Sequence, residues 1–212
     1  MIIIGVQNPK GGATKSTTTV NLGKAFQQMG LQVALAETDT QGTLREWAAK
    51  GEGGDAGDMP VIQLRSRDEI LGVVDNKDLQ DIDVLLIDGV ANGFKEYVTI
   101  QKISDLILIV TQPSPADLQP LEDVMEIMKG KDTPVFFLIT RTKKGDDLVD
   151  RVRSMLEEYE YPVLQNTIRD LKGFKTSFAV GKTVYDFKDF SSAQEDVSAV
   201  ANELLSSMGV EV

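Results

Sequence analysis

Cysteine and histidine are both absent from the 212 residues. Without thiols there is no disulfide, thiolate zinc site or iron–sulfur cluster, and without imidazole there is no histidine base or histidine-held metal. No apolar run approaches the roughly 20 residues of a membrane-crossing helix, and no basic, apolar leader precedes the first strand-like run. The expectation is a cytoplasmic protein with no membrane partner. Positive charge is also scarce: 22 basic residues against 33 acidic give −11. That sign disfavours nucleic acid over most of the surface. Two segments run the other way. Residues 141–153 hold Arg141, Lys143, Lys144, Arg151 and Arg153 against three acids, and residues 165–188 hold Arg169, Lys172, Lys175, Lys182 and Lys188 against two.

With 42 % hydrophobic residues, the chain is long enough for one well-buried core, and one domain over 1–212 is the default. Apolar runs at 2–6, 32–36, 84–87, 106–110 and 135–139 alternate with helix-like stretches. Runs without polar alternation suit parallel strands buried on both faces. The pattern predicts a single doubly wound α/β domain, a mostly parallel sheet flanked by helices. The last helix, over 193–208, places Val197, Val200, Ala201, Leu204 and Leu205 on one side.

The stretch that organises the chain is Pro9-Lys10-Gly11-Gly12-Ala13-Thr14-Lys15-Ser16-Thr17, set between the first strand and a helix. Glycines let the backbone approach an oxyanion closely, and a helix start adds unpaired N–H donors and the positive end of its dipole. Lys15 then reaches the β- and γ-phosphates, and Ser16 ligates Mg²⁺. The standard pattern G-x-x-x-x-G-K-[ST] is not met, because its two glycine positions hold Pro9 and Thr14.

What is met is K-G-G-x-x-K-[ST], and in this the chain resembles the ParA/MinD superfamily of deviant Walker A ATPases, most of all the short plasmid-partition ParA proteins of the ParF type. The nitrogenase iron protein shares the loop but needs cysteines that are missing here. The resemblance implies ATP and Mg²⁺ as cofactors and a homodimer closed by ATP, with Lys10 reaching the partner's phosphates as an arginine finger does. It implies that Asp39, in Glu37-Thr38-Asp39-Thr40-Gln41, orients the attacking water and supports the metal through its shell. Glu37 stands where the family has aspartate, and is open between an outer-sphere metal partner and a solvated strand-end acid. Residues 83–89 read as Walker B, with Asp88 meeting the Mg²⁺ shell and Gly89 leaving room for phosphate or water.

Thr111-Gln112-Pro113-Ser114-Pro115-Ala116-Asp117 is similar to a family turn beside nucleotide and dimer interface, which puts Pro113 and Asp117 near the site. The family places adenine recognition near the end of the strand over 135–141, hence at Thr140 and Arg141. The glycine-rich stretch 51–58 either covers the nucleotide or is a surface connection. Arg169, Lys172, Lys175 and Lys182 fall where ParA proteins bind DNA non-specifically; the same stretch also reads as an ordinary solvated face with its aromatics, Phe174, Phe178, Tyr185 and Phe187, turned inward. The expectation is that no helix-turn-helix domain precedes the first strand, and the last helix lacks the basic face of a MinD-type membrane anchor.

The resemblance implies a partition ATPase that binds DNA in its ATP state, associates with the nucleoid and hydrolyses ATP under stimulation by an adaptor of the ParB or ParG kind, with a plasmid as cargo. Two alternatives stand beside it: a positioning ATPase for a protein cluster or microcompartment, and a small-molecule P-loop enzyme of the dethiobiotin-synthetase kind.

Overall fold

The computed structural model describes residues 1–12, 14–51, 59–91 and 93–210. They form a seven-stranded sheet whose pairings are all parallel, in the order β3-β2-β4-β1-β5-β6-β7. The strands are β1 (Ile2–Gln7), β2 (Val33–Glu37), β3 (Val61–Gln63), β4 (Val84–Asp88), β5 (Leu106–Thr111), β6 (Val135–Thr142) and β7 (Ile168–Arg169). The helices are α1 (Lys15–Gln28), α2 (Thr43–Lys50), α3 (Arg67–Gly72), α4 (Phe94–Ile103), α5 (Leu121–Met128), α6 (Leu148–Glu157), α7 (Lys172–Ala179) and α8 (Ser191–Ser207).

Successive strand residues point to opposite faces, and this divides the core in two. Ile4, Val6, Leu35, Leu86 and Leu108 pack with Phe26 of α1, Trp47 of α2, Phe174 of α7 and Val197 of α8. Ile3, Leu85, Ile87 and Ile107 pack on the other face with Ile70 of α3, Tyr97 and Ile100 of α4, Val124 of α5 and Val152 of α6. The strand core is thus covered on both sides, which explains the unbroken apolar runs. Gly5 marks a close approach of α4 to the sheet: a Cβ there would lie 2.7 Å from Ile100 Cγ2 and from Ile107 Cδ1.

The same alternation aims the polar strand ends. Asp88 shares its face with Leu86, and Glu37 with Leu35, so both carboxylates turn toward the α1 layer. They are register partners on adjacent strands. The carboxyl end of β1 lies between those of β4 and β5, where strand order reverses, the place at which open α/β sheets hold ligands.

Sequence patterning assigns no helix to 94–103 or 172–179; the structure has α4 and α7 there. Tyr97-Val98-Thr99-Ile100 is β-branched and aromatic, poor in intrinsic helix propensity, and α4 is held by burial of Tyr97 and Ile100 rather than by its own preference. Helix α5 begins at Leu121, after a 3₁₀ turn at Pro115–Asp117, because Pro120 cannot occupy a helix interior. Arg153 donates to the carbonyls of Val163 (3.4 Å), Leu164 (2.7 Å) and Gln165 (3.2 Å) and ties α6 to the segment leading into β7.

Candidate functional site

The loop after β1 is built on an unusual backbone. Asn8 Nδ2 donates to the Val110 carbonyl (2.5 Å), and Asn8 Oδ1 accepts from the Lys10 amide (2.6 Å), so the loop leaves the sheet in a tight side-chain-closed turn. Gly12 has φ 75° and Thr14 φ 64°. A Cβ at Gly11 or Gly12 would meet nothing within 4 Å, so the glycines face open space, as an anion cradle requires. Thr14 has no such licence: a β-branched residue in the left-handed region costs about 1–2 kcal/mol. Its Oγ1 lies 2.9 Å from Thr140 Oγ1, which in turn donates to the Thr111 carbonyl (3.1 Å), a chain running across β6 to β5. Ala13 lies outside the described residues, as do residues 52–58 of the glycine-rich stretch.

Lys15, Ser16 and Thr17 open α1. Lys15 is buried and its Nζ donates to the Lys10 carbonyl (3.4 Å). Burial pushes its pKa down, against the pull of Asp88 and Asp39. Ser16 Oγ donates to Asp88 Oδ2 (2.5 Å). Asp88 is pushed up to about 7 by burial, with Glu37 and Asp39 adding to the rise and the Ser16 hydrogen bond and Lys15 opposing it. Asp88 Oδ1 is buried with no hydrogen-bond partner, and so is Glu37 Oε2.

Glu37 is fully buried, with its pKa raised chiefly by burial. Its Oε1 accepts from the Leu44 amide (2.7 Å), in the first turn of α2, where Gly42 supplies no side-chain cap. The extra methylene over aspartate lets one carboxylate do two things: one oxygen holds α2, the other stays free beside Asp88. The solvated strand-end reading of Glu37 is therefore wrong. Asp39 sits just beyond, half-buried, in a turn where its Oδ1 accepts from the Gln41 amide (2.9 Å).

Two unpaired buried carboxylate oxygens and a serine hydroxyl beside a depressed lysine make an incomplete centre. Buried acids without partners are expensive. The described residues contain no group of three or more acids able to cage a metal by themselves. The donor set instead fits Mg²⁺, which keeps several waters and takes one or two protein oxygens plus phosphate. A Cβ at Gly89 would come within 3.1 Å of the Val6 carbonyl and 3.3 Å of Gln7 Cγ, so close packing on β1 favours the glycine as well as room for phosphate or water.

Lys10 Nζ is bonded to Asp117 Oδ1 of the same chain, in the 3₁₀ turn after β5. Gln112, directly after β5, donates from Nε2 to the Gly12 carbonyl (3.2 Å), and Arg141, itself at φ 55°, lies 3.5 Å from Gln112 Oε1. Gln112, which contacts the loop, was missed by sequence reasoning; it is adjacent to half-buried Pro113 in the segment between β5 and the 3₁₀ turn.

Beside the loop, a cleft is lined by Thr14, Thr17, Thr140 and Arg141 on one side and Leu171 and Phe174 on the other, with Arg169 and Lys175 at its edge. Two of the four cations expected to bind DNA are thus next to the loop, and both have acids. Arg169 makes a two-pronged pair with Asp196 of α8 (Nη2–Oδ1 2.7 Å, Nε–Oδ2 2.9 Å), and Lys175 Nζ lies 3.5 Å from Asp170 Oδ1. Lys172 is exposed and Lys182 half-exposed, and neither has an ion pair among the described residues. The aromatics of this stretch turn inward: Phe174 is buried, Phe178 stacks on Trp47 with ring centres 6.5 Å apart, and Tyr185 Oη lies 2.8 Å from Ser198 Oγ.

Comparison with known proteins finds similar chains, a similar fold and a matching family. A carboxysome-distribution protein, "Maintenance of carboxysome distribution protein A" of Halothiobacillus neapolitanus, is 24 % identical over 212 residues, covering 96 % of each chain. "Protein ParA" of Rhizobium radiobacter is 23 % identical, covering 95 % of each. Among solved structures, the MinD cell division protein of Aquifex aeolicus superposes with a TM-score of 0.78 at 18 % identity, covering all of this chain and 98 % of its own. The family described as CobQ/CobB/MinD/ParA nucleotide binding domain matches residues 4–184, and with that span containing the loop, Glu37, Asp39, Asp88 and Asp117, the chain belongs to this family.

Proposed function

We propose that the chain is a Mg²⁺-dependent ATPase that dimerises around ATP and uses the cycle to position a large cargo. The observation that carries this is the incomplete centre: Ser16 on Asp88, with Asp88 Oδ1 and Glu37 Oε2 buried and unpaired beneath an open glycine loop. The loop amides and Lys15 hold the phosphates. Ser16 would hold Mg²⁺, with Asp88 and Glu37 accepting from its water shell, and the metal would supply positive charge against the phosphates. Asp39 orients the attacking water. Thr140 and Arg141, at the mouth of the cleft, bound the base.

Lys10 completes the site in the partner subunit. For that it leaves Asp117, so the same side chain reports two states: held in its own chain, or spent on a neighbour's phosphates. Adaptor stimulation then amounts to favouring the second.

The relatives divide over cargo. The carboxysome-distribution protein supports a protein microcompartment, and the ParA relative supports a plasmid with an adaptor of the ParB or ParG kind. In either case the ATP dimer holds non-specific DNA on the nucleoid as its track, with Lys172 and Lys182 supplying unpaired charge for it. Purified protein retained on DNA with ATP, ADP or no nucleotide, across a salt series, tests this. Retention with ATP alone, falling steeply with salt, is expected. Mg²⁺-dependent hydrolysis without DNA retention in any state would overturn the DNA track, and turnover that requires a metabolite acceptor would overturn positioning altogether in favour of a small-molecule enzyme.

A further inference from the structure

On the face of the sheet away from α1, helices α3, α4 and α5 enclose an open groove of about 570 Å³. Its floor is apolar, formed by Ile70 of α3, Val98 of α4 and Ile127 of α5. Phe94 also lines it, 40 % exposed, its ring edge-on to Tyr97 with centres 6.1 Å apart. Three cations border the groove: Arg67, Lys95 and Lys102. All three are exposed, and none is in an ion pair among the described residues. Glu96 is the single acid in the lining; the acids of α5, Glu122, Asp123 and Glu126, lie outside it. This lining carries a surplus of positive charge in a chain whose net charge is −11.

We propose that this groove docks an acidic amphipathic segment of a partner protein. Apolar residues of the segment fill the floor around Phe94, and its carboxylates meet Arg67, Lys95 and Lys102. An exposed aromatic over an aliphatic floor is the kind of anchor on which peptide affinity concentrates. Charge at the rim fixes sign and speeds encounter rather than supplying most of the affinity. Phosphate backbones of DNA want cations without a deep apolar floor, so the groove favours a peptide over a nucleic acid. The position has a consequence for the ATP cycle: α4 starts a short loop after Asp88, so an occupant lying along α4 contacts the helix next to the metal ligands.

The test uses the full chain and two synthetic peptides, each with leucines at i, i+3, i+4 and i+7, one flanked by glutamates and the other by lysines. Binding is followed by fluorescence anisotropy without ATP, so that its outcome is independent of the positioning cycle, and its location by amide shift perturbation. The glutamate peptide is expected to bind and to shift amides of α3 and α4, with the lysine peptide at least about tenfold weaker. Phe94→Ala and the double variant Lys95→Glu/Lys102→Glu are each expected to weaken the glutamate peptide about tenfold while basal ATP hydrolysis is unchanged. The double variant alters exposed side chains only, so it carries the test if Phe94→Ala fails to fold. Equal binding of the two peptides, affinity indifferent to both variants, or a duplex oligonucleotide shifting the same amides in place of the glutamate peptide would overturn the proposal.

Discussion

Two polar regions of this molecule lie on the same face of the sheet and are finished to different degrees. At the α8 corner nearly every charge is answered. Glu203 accepts from the Gln165 amide (2.6 Å), the Asn166 amide (2.9 Å) and Asn166 Nδ2 (2.8 Å), and Asp196 takes Arg169 through both oxygens. At the carboxyl ends of β1, β2 and β4 the opposite holds. Thr14 sits at a strained φ, Lys15 is buried with a depressed pKa, and Asp88 and Glu37 each keep a buried oxygen without a partner. Structural ion pairs close on themselves; a ligand site is left open at a cost in stability that ligand binding offsets. Acids in one region should therefore matter for stability alone, and in the other for activity, even against stability.

The largest expected effect lies in the open region. Lys15→Ala removes the cation that reaches the phosphates and is expected to lower ATP hydrolysis by at least about 10²–10³-fold. The thermal midpoint of the nucleotide-free protein should stay or rise, because a poorly solvated ammonium is lost. A large fall in that midpoint, measured by calorimetry, would make Lys15 a structural residue and erase the comparison.

Asp88→Asn sharpens it through pH. The folded chain holds the Asp88 proton up to about pH 7, whereas an unfolded aspartate releases it near 3.8. The folded state binds more protons over that window, so its stability falls as pH rises from about 4 to 7. Asparagine removes the penalty. The variant should match the parent near pH 4 and exceed it by a few kcal/mol above pH 7, while hydrolysis is lost. For the parent, Mg²⁺–nucleotide binding should strengthen as pH rises through about 7, with proton release visible by titration calorimetry in buffers of differing ionisation enthalpy. Denaturation curves for parent and variant that stay parallel from pH 4 to 8 would show Asp88 to be ionised throughout.

In the closed region, Asp196→Ala should cost about 1 kcal/mol, the scale of a half-exposed ion pair discounted for solvent, with ATP hydrolysis per folded molecule unchanged. A loss of turnover beyond the loss of folded protein would mean that Arg169 acts at the cleft it borders.

What was legible beforehand follows from range. The strands, the loop and Asp88 are written locally: an apolar run, two glycines, an acid after four aliphatic residues. The structure brings these together as expected. The unread features depend on partners far along the chain. Lys10 meets Asp117, Gln112 meets Gly12, and Arg169 meets Asp196. No local pattern announces that a cation in a basic stretch is already neutralised. Helix α4 was hidden for a related reason, since its β-branched residues are overruled by packing on β1. Glu37 did carry a signal, one methylene longer than the family's aspartate, and the meaning of that methylene became visible only with the Leu44 amide at its end.

The smallest expected effect tests whether the strain at the loop is genuine. Thr14 pays about 1–2 kcal/mol for its left-handed φ, and its hydroxyl recovers about 1 kcal/mol through Thr140. Glycine relieves the strain and loses the bond, and it also gains freedom in the unfolded chain worth about 0.5–1 kcal/mol. These contributions nearly cancel, so Thr14→Gly should leave stability within about 1 kcal/mol of the parent. Alanine keeps most of the strain and loses the bond, so Thr14→Ala should fall below glycine by about 1 kcal/mol, a few degrees in the thermal midpoint. Alanine at or above glycine would mean that the φ of Thr14 is not strained in solution. The loop would then differ from the α8 corner in buried Lys15 and in its unpaired carboxylates, and the cost of keeping the site open would rest on Lys15, Asp88 and Glu37.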